Sequence, residues 1–393
     1  MTATMTRAPN ALTQLQDDEK EFQKSVREFA ERVVKPRINE MDALAEMGRD
    51  LIDQLFAAGL MGIEVPAEQG GSGGSFFKLM LAIEELSRID PAVAVLAHVH
   101  NVLVVNPLMR WGTPEQKSRY LPKLAFDTVG AYSLSEVQAG SDAFALTTRA
   151  EDHGDHWLIR GQKKWTTSGR EAGLFLLFAS VKPELGGRGL GAFLIEADSP
   201  GLAIGKVEDK MGLRASSTCE IHLDGVKVPK DGVLGSPTGG NEVGTDALNK
   251  GRIGIAAQMV GLAQGAFEAA LRYSQQRKQF GQPIGSFQAV QFTLAEMATE
   301  IEAARLLTYN VARMKDAGAP YFRLARPSSM AKLYAARIAE KVASQAIEIF
   351  GGAGYIRDNP VEKLYRDAKI GSIYEGTTNM QLRVIASALS EGG

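Results

Sequence analysis

The sequence predicts an α+β chain of three domains, an all-helical domain followed by a β domain and then a helical bundle. Its 393 residues exceed what a single hydrophobic core normally serves. Apolar residues recur at steps of three and four near both ends, whereas short apolar runs bounded by turn residues fill the middle. These changes of pattern place the domain boundaries at residues 1–128, 129–241 and 242–393.

Helical periodicity is clear in the first domain between Asp17 and about Asp127. Each segment puts its apolar side chains on one face, as a helix that packs on a core does. The apolar positions are Phe22, Val26 and Phe29, then Leu51, Leu55 and Ala58, and then Leu79, Ile83 and Leu86. We therefore expect this domain to be entirely helical.

The middle domain is predicted to consist of short strands. Strand-like runs span residues 145–150, 157–161, 174–181, 192–196 and 219–223. Residues 152–155 form a turn sequence, Asp-His-Gly-Asp, between the first two runs. The run at 219–223 alternates apolar and polar residues, which is typical of a half-buried strand.

Helical periodicity returns in the C-terminal domain. Its apolar positions include Phe287, Val290, Leu294, Met297, Ile301 and Ala304. Breaks are predicted at Pro283 and at Gly318-Ala319-Pro320, and a stop at Gly351-Gly352. Ser328 is expected to cap the helix that follows Pro327. Four long helical segments predict a bundle.

Composition excludes several classes of function. Lys plus Arg (44) nearly balances Asp plus Glu (46), so no strong field favours nucleic acid or an anionic membrane. Cys219 is the single cysteine, which rules out an internal disulfide, and the five histidines show no metal-ligand spacing. We expect no metal site, no signal or membrane span, and a reducing, cytoplasmic setting.

One carboxylate near the C-terminus carries the strongest chemical signal. Glu375 lies between Tyr374 and Gly376 in the stretch Ile373–Thr378. A carboxylate in apolar surroundings is a stronger base than one in water, and a glycine lets a ligand approach the backbone closely. A solvated Glu near the start of a predicted helix would show the same local pattern. Glu375 is thus a candidate general base, and the alternative is that it is only a solvated residue near a helix start.

Two segments of the middle domain have features that a planar cofactor requires. The loop at residues 132–142 offers hydroxyls and backbone N–H groups that could meet a polar ring edge, although an ordinary loop explains them equally. Trp165 and Thr167 combine a flat aromatic with a nearby hydroxyl, although a buried core Trp is the simpler account.

A third segment, in the bundle, has groups suited to a dinucleotide. Arg277, Phe280 and Gln288 place a cation, a ring and an amide around a Gly-Pro turn, which suits a pyrophosphate and an adenine. An ordinary loop between helices would look the same.

Taken together and in order, these motifs resemble the acyl-CoA dehydrogenases, flavin enzymes of fatty-acid and branched amino-acid breakdown. The resemblance covers residues 17–389 and implies a middle β-barrel, a C-terminal four-helix bundle and FAD as cofactor. Its marks are Leu134-Ser135-Glu136, Ala139 to Asp142, Trp165 to Ser168, Arg277 to Gly281, Phe350 to Gly352, Arg366 to Lys369 and Ile373 to Thr377.

The resemblance implies a role for each matching position. Glu375 would remove an α proton from an acyl-CoA thioester while a hydride leaves the β carbon for flavin N5, and its backbone N–H would help to hold the thioester oxygen. Thr167 would lie near N5 and Trp165 beside the ring. The implied cofactor-binding residues are Tyr132, Leu134, Ser135, Ser141, Trp165, Thr167, Arg277, Phe280, Gln288, Gly351, Gly352, Thr377 and Asn379. The implied substrate-binding residues are Ser141, Asn249, Arg252 and Gly376.

Some positions discriminate within the family. Certain members carry their base at the position of Gly251, so Glu375 is the sole candidate base in this chain. The runs at 212–219, 248–259 and 302–310 resemble the short/branched-chain, or 2-methylacyl-CoA, subgroup, and 2-methylbutyryl-CoA or isobutyryl-CoA is the first substrate expected. The resemblance also implies an electron-transferring flavoprotein as electron acceptor and a homotetramer.

Departures from the family pattern leave alternatives open. Glu136-Val137-Gln138 and Thr166 differ from the usual residues near the flavin. His98 and His100 fall near the expected end of the acyl pocket, where we hypothesise a more polar floor, although such histidines are more often simply packed or solvated. The rivals are a pathway-specific dehydrogenase of an unusual acyl thioester, an oxygen-using flavin hydroxylase, and a binding protein that has lost the cofactor.

Overall fold

The first domain is helical, as predicted. The computed structural model describes residues 11–390. Its first seven α-helices are α1 (Asp17–Phe29), α2 (Ile38–Leu44), α3 (Arg49–Ala57), α4 (Phe76–Ile89), α5 (Pro91–His98), α6 (Asn106–Trp111) and α7 (Pro114–Phe126). Val26, Leu55 and Ile83 are buried as predicted, but Ala58 is exposed, because α3 ends one residue before it. One π-helical turn, Ala30–Val34, follows α1, and another, Val99–Val105, joins α5 to α6.

A single residue separates α4 from α5 and fixes the direction of the second helix. Asp90 accepts the backbone N–H groups of Ala92 and Val93 through Oδ1, at 2.7 and 3.2 Å, and so caps the start of α5. Pro91 occupies the first helical position, where no N–H is needed. Every residue of α5 and of the π-helical turn that follows it is buried.

The helical stretch Pro91–Trp111 is apolar as well as long. Within residues 11–390 it is the one segment of 21 residues whose length and mean hydropathy (1.6) would suit a membrane span. However, 94% of the 18-residue window that has this mean hydropathy is buried inside the protein, as in the core helix of a folded domain.

The middle domain is one seven-stranded sheet. Its strands are β1 (Val129–Ser133), β2 (Arg149–Asp152), β3 (His156–Thr167), β4 (Ala172–Ser180), β5 (Leu190–Glu196), β6 (Leu202–Val207) and β7 (Thr218–Pro229). β3 lies antiparallel between β2 and β7, and β6 extends the sheet beyond β7. β4 pairs with β5 antiparallel and with β1 and β2 parallel.

The strand predictions were right in kind but incomplete. β1 and β6 were not predicted, because β1 is buried on both faces and β6 is exposed along most of its length, so neither has a clear alternation. The prediction of a strand over residues 145–148 was wrong. Glu136 accepts the N–H groups of Thr147 and Thr148, so these donors bond to a carboxylate, and the segment bonds to β4 where the carbonyl of Thr148 accepts the N–H of Ser180 at 2.8 Å.

The C-terminal domain is the predicted bundle. It contains α8 (Gly240–Gln276), α9 (Gln288–Asp316), α10 (Tyr321–Phe350), α11 (Pro360–Ala368) and α12 (Thr378–Ser390), with a short hairpin of β8 (Lys278–Gln279) and β9 (Gln282–Pro283) between α8 and α9. α10 packs against α8, α9 and α12, and α8 also packs on α4 of the first domain. The fold class is confirmed.

The prediction that Ser328 caps a helix was wrong. α10 begins earlier, at Tyr321, and Pro327 lies within its second turn. A proline this close to the start removes only one backbone hydrogen bond, and Leu324 before it is buried in the core. Ser328 donates its hydroxyl to the carbonyl of Ala325 inside the helix, at 3.1 Å. Gly351, with φ 60°, ends α10 as predicted.

Candidate active site

Glu375 occupies a sharp turn in the backbone just before α12. Its φ of 49° is in the left-handed region that a non-glycine residue rarely adopts, and Gly376 follows with φ 92°. Gln381 donates to the carbonyls of Glu375 (3.2 Å) and Gly376 (2.8 Å), and Lys332 donates to Gly376 at 2.7 Å. These bonds from α12 and α10 hold the unusual backbone in place.

The carboxylate of Glu375 is paired with a histidine. His98 Nε2 lies 2.6 Å from Glu375 Oε1. The His98 side chain is fully buried, and that of Glu375 is 9% exposed. The second oxygen, Oε2, is buried and has no hydrogen-bond partner within residues 11–390. One oxygen of the candidate base is therefore engaged, and the other is free to react.

Two glycines of α8 make room for this pair. A Cβ on Gly251 would lie 1.9 Å from Glu375 Oε2, and one on Gly254 would lie 2.1 Å from His98 Nδ1. Residues three apart on a helix share a face, so both glycines open the same side of α8. On sequence alone, Gly251 is notable only because it cannot act as a base. The structure shows in addition that no side chain fits at this position beside Glu375.

Two cations approach the same carboxylate. Burial lowers the pKa of Lys332 to about 8 and lowers that of Arg252, while the charge of Glu375 acts against both shifts. Arg252 donates through Nη1 to Asn249 Oδ1 at 2.7 Å, and Asn249 Nδ2 donates to the carbonyl of Tyr321 at 3.1 Å. Asn249, expected at the substrate, here orients Arg252 with its amide.

The residues expected at the flavin ring surround the end of β1. Tyr132 Oη is buried without a hydrogen-bond partner within the described part of the chain, and burial together with the charge of Glu375 raises its pKa. The carbonyl of Leu134 accepts Lys163 Nζ at 3.1 Å, and that of Ser135 accepts the N–H of Lys164 at 2.9 Å. Since the charge of Glu375 acts on Tyr132, the end of β1 lies close to the candidate base.

A buried ion pair behind this loop was missed by sequence reasoning. Lys163 Nζ lies 2.7 Å from Glu136 Oε1, and both side chains are buried. Burial raises the pKa of Glu136, but the charge and hydrogen bond of Lys163 outweigh that and hold it at about 2. Burial lowers the pKa of Lys163 to about 8. The signal that could have revealed this pair is Lys163 itself, a lysine at a buried position of β3.

Trp165 lies on a β-bulge, and this explains its exposure. The pairing of β3 with β7 shifts between Lys163 and Thr166, and Trp165 has a φ of 63°. Its ring is 54% exposed, so the alternative of a core Trp was wrong. Thr166 turns inward to bond Ser133 at 2.8 Å, while Thr167 at the end of the strand is half-buried.

Several of the residues expected along the FAD chain lie at one end of the bundle, whereas Thr377 and Asn379 lie at the start of α12, next to Gly376, which Lys332 in the interior of α10 holds. The rings of Tyr273 and Phe350 stack at 4.1 Å, which joins the end of α8 to the end of α10. The hairpin with Arg277 and Phe280 and the turn at Gly351 therefore share that end. Phe280 is 93% exposed. Besides Phe280 and Trp165, the exposed members of the predicted cofactor set are Arg277, Gln288, Gly351, Gly352, Ser141 and Asn379.

The residues present fit FAD. The exposed aromatic side chain of Trp165 and the unpaired hydroxyl of Tyr132 suit a flat ring, and the open space at Gly351 lets a phosphate chain approach the backbone closely. Arg277 has no ion-pair partner within residues 11–390, which leaves its charge available to a phosphate. Thr377 was also expected to contact FAD. In the structure its Oγ1 accepts the backbone N–H of Met380, at 3.3 Å, in the first turn of α12.

The two histidines of the predicted pocket floor have different surroundings. His98 contacts Glu375, as described above. His100 Nε2 donates to the carbonyl of Met61 at 2.7 Å, and its Nδ1 accepts the N–H of Gly130 at 2.9 Å. Both ring nitrogens of His100 are used by the backbone, so the hypothesis of a polar pocket floor was wrong for His100. Burial lowers its pKa to about 4.

Comparisons with known proteins agree with this arrangement. Family models for the N-terminal, middle and C-terminal domains of acyl-CoA dehydrogenase match residues 16–127, 131–226 and 238–390. A probable short/branched chain specific acyl-CoA dehydrogenase of Dictyostelium discoideum is 47% identical over 379 residues, 96% of this chain and 91% of that protein.

Two solved structures are also similar to this chain. Butyryl-CoA dehydrogenase from Megasphaera elsdenii superposes with a TM-score of 0.93 at 38% identity, covering 96% of this chain and 99% of that one. A chain from a study of the electron transferring flavoprotein of Acidaminococcus fermentans gives 0.94 at 41% identity, again over 96% and 99%. The chain therefore belongs to the acyl-CoA dehydrogenase family.

Proposed function

We propose that this protein is an FAD-dependent acyl-CoA dehydrogenase that converts a short or 2-methyl-branched acyl-CoA to the 2-enoyl-CoA, with Glu375 as the base. The observation that carries the proposal is the state of the Glu375 carboxylate. It is almost fully buried, one oxygen is held by His98, and Oε2 has no partner within the described residues. A desolvated carboxylate oxygen in a fixed position suits abstraction of a proton from carbon.

In the proposed reaction, Glu375 Oε2 accepts the α proton of the thioester. The C–H bond breaks and an O–H bond forms at Oε2, so negative charge develops toward the thioester oxygen. The backbone N–H of Glu375 makes no hydrogen bond within residues 11–390 and is available to that oxygen. A preorganised donor at the atom where charge develops stabilises the transition state.

FAD, when bound, supplies the acceptor for the hydride that leaves the β carbon. Tyr132, Leu134 and Ser135 would hold the polar edge of its ring, and Trp165 and Thr167 would pack beside the ring near N5. Arg277 and the turn at Gly351-Gly352 would hold the phosphate chain. The full set of proposed cofactor contacts is Tyr132, Leu134, Ser135, Ser141, Trp165, Thr167, Arg277, Phe280, Gln288, Gly351, Gly352, Thr377 and Asn379.

The proposed substrate side comprises Ser141, Arg252 and Gly376, with Asn249 orienting Arg252. The name of the Dictyostelium relative, short/branched chain specific, supports 2-methylbutyryl-CoA or isobutyryl-CoA as first substrates. An electron-transferring flavoprotein as acceptor, a homotetramer and a cytoplasmic setting complete the proposal.

The test is an anaerobic titration of the flavin-loaded protein with 2-methylbutyryl-CoA, isobutyryl-CoA, butyryl-CoA and isovaleryl-CoA. Loss of flavin absorbance with a 2-methyl thioester is the expected result. Glu375→Gln keeps the shape of the side chain but removes the base, so it should retain FAD and lose bleaching by at least about 1,000-fold. Glu348→Gln is the matched control, because it makes the same change from carboxylate to carboxamide at an exposed position on α10; its flavin should bleach normally.

Other outcomes would separate the rivals. Fast bleaching in Glu375→Gln would overturn the role of Glu375. A wild-type flavin that stays oxidised with all four thioesters would favour an unusual acyl thioester. Hydroxylated product after admission of oxygen would favour a hydroxylase, and a purified protein unable to take up FAD would favour a binding protein.

A further inference from the structure

We propose that His98 is a positioning residue for the base: it donates a hydrogen bond from Nε2–H to Glu375 Oε1, which keeps the carboxylate ionised and turns Oε2 toward the substrate. This inference rests on the proposed role of Glu375. It concerns a residue that sequence reasoning placed in the acyl pocket and that the structure places on the base itself.

The geometry is that of a strong hydrogen bond. The two atoms are 2.6 Å apart, and His98 is fully buried, so water does not compete with the contact. His98 is the last residue of α5, and the π-helical turn Val99–Val105 follows it. Asn101 in that turn anchors the chain, because its side-chain amide donates to the carbonyls of Leu60 and Ala97, each at 2.9 Å. The imidazole is therefore held by the first domain, independently of the loop that carries Glu375.

The surroundings of the second ring nitrogen indicate the tautomer. His98 Nδ1 is buried against Gly254 and has no hydrogen-bond partner within residues 11–390. A proton on Nδ1 would be a buried donor without an acceptor, which costs more than a bare lone pair. The unpartnered Nδ1 therefore assigns the ring proton to Nε2, from which the imidazole donates to the carboxylate.

A donor to Oε1 favours the charged form of Glu375. Hydrogen bonding to the ionised form of a carboxyl group stabilises it over the neutral form. The other ionisable groups that act on Glu375 are the cations Arg252 on α8 and Lys332 on α10, and Tyr132 on β1, which stays neutral. Tyr374 beside it is also neutral, because burial and the Glu375 charge raise its pKa. Within the described residues, His98 alone bonds the carboxylate directly.

The hydrogen bond also persists through the proposed reaction. When the α proton arrives on Oε2, Oε1 becomes the carbonyl oxygen of a carboxylic acid and still accepts from Nε2–H. His98 neither gives nor takes a proton, so the α proton passes from the thioester to Glu375 alone, while the hydride from the β carbon is left to the flavin. The hydrogen bond from His98 stabilises the buried carboxylate before the proton arrives, although His98 itself acts neither as an acid nor as a base.

Two substitutions separate the donor from the bulk of the side chain. His98→Gln retains an N–H donor at about the position of Nε2, whereas His98→Leu fills the space without one. We expect the acid limb of the pH profile of kcat/KM to move up by about one pH unit or more in His98→Leu, so that activity at pH 6 falls about tenfold or more. His98→Gln should stay within about threefold of wild type, with KM little changed in both.

A binding measurement supplies a readout that needs no turnover. Pivaloyl-CoA has no α proton and cannot be dehydrogenated, so calorimetry in two buffers of different ionisation enthalpy reports only protons bound by the protein. Near pH 6.5, the proton uptake on binding should differ between His98→Leu and wild type. The difference should disappear when Glu375→Gln is present in both proteins, which assigns it to Glu375.

The outcomes distinguish failure of this inference from failure of the proposed function. A wild-type protein that no thioester reduces would remove the proposed function. An active wild type with a His98→Leu profile that coincides with its own would overturn the role of His98, as would equal losses in His98→Gln and His98→Leu with FAD retained. If His98→Leu fails to fold, Gly254→Ala displaces the ring from the Nδ1 side and should shift the acid limb in the same direction.

Discussion

Gly251 faces Glu375 so closely that a methyl group on its Cα would lie 1.9 Å from the carboxylate oxygen Oε2. The two residues are brought together by the packing of α8 against the turn that precedes α12. A glycine inside a 37-residue helix costs about 1 kcal/mol relative to alanine, so its presence here has a steric reason. The same contact makes a sharp prediction possible.

Gly251→Ala should impair catalysis without unfolding the protein. The added methyl pushes the flexible end of Glu375 away from its position and breaks the contact with His98, while alanine favours the helix. We expect kcat to fall about 100-fold or more, with Tm within a few degrees of wild type, measured by flavin bleaching and thermal melting. Gly244→Ala is the control on the same helix, where the nearest atom is Phe144 Cε1 at 3.0 Å; a similar loss there would contradict the explanation.

His100 should make the fold sensitive to mild acid. Burial lowers its pKa from the usual 6.5 to about 4, so between these values the unfolded chain binds more protons than the folded one. Stability is therefore full above about pH 6.5 and falls by roughly 1 kcal/mol per pH unit as the pH drops toward 4. His100→Gln removes this titration. Unfolding curves at pH 7.5 and 5 should show a smaller difference in the variant, and an equal difference would refute the assignment.

The Glu136–Lys163 pair should be strongly coupled. Glu136→Gln leaves a buried ammonium without its counter-charge and should cost about 3 kcal/mol of unfolding free energy. The double variant Glu136→Gln/Lys163→Met should cost less than the sum of the single changes, measured by urea unfolding. Glu300→Gln breaks the part-exposed pair with Lys341 and serves as the control, with an expected cost below about 1 kcal/mol. Additive costs at positions 136 and 163 would contradict the coupling.

Lys332 should set an alkaline limit to activity. Its pKa is lowered to about 8 by burial, so above that pH the ammonium near Glu375 and Gly376 loses its charge. We expect kcat/KM to decline above about pH 8 in wild type and this limb to be absent in Lys332→Met. Lys341→Met, an exposed lysine on the same helix, should keep the wild-type profile. A limb that survives in Lys332→Met would assign it to another group.

Local patterns were sufficient for the architecture. Steps of three and four residues identified the helices whose buried faces include Leu55, Ile83 and Met297, because helical burial has a period that is visible within one segment. The same patterns failed where burial was two-sided, as in β1, and where a side chain satisfied the backbone, as Glu136 does at Thr147. Such exceptions depend on partners outside the segment.

The sequence by itself determined the order of the domains, the family, and Glu375 as the candidate base, since periodicity and short motifs are properties of neighbouring residues. Only the tertiary structure decided that His98 meets Glu375 across 277 positions, that Gly251 and Gly254 open the space for them, and that Lys163 anchors the loop at Glu136. These contacts join separate elements, and the packing of α5, α8 and the final turn sets them. No local pattern encodes the distance between such elements, because it follows from the way in which the whole core fills.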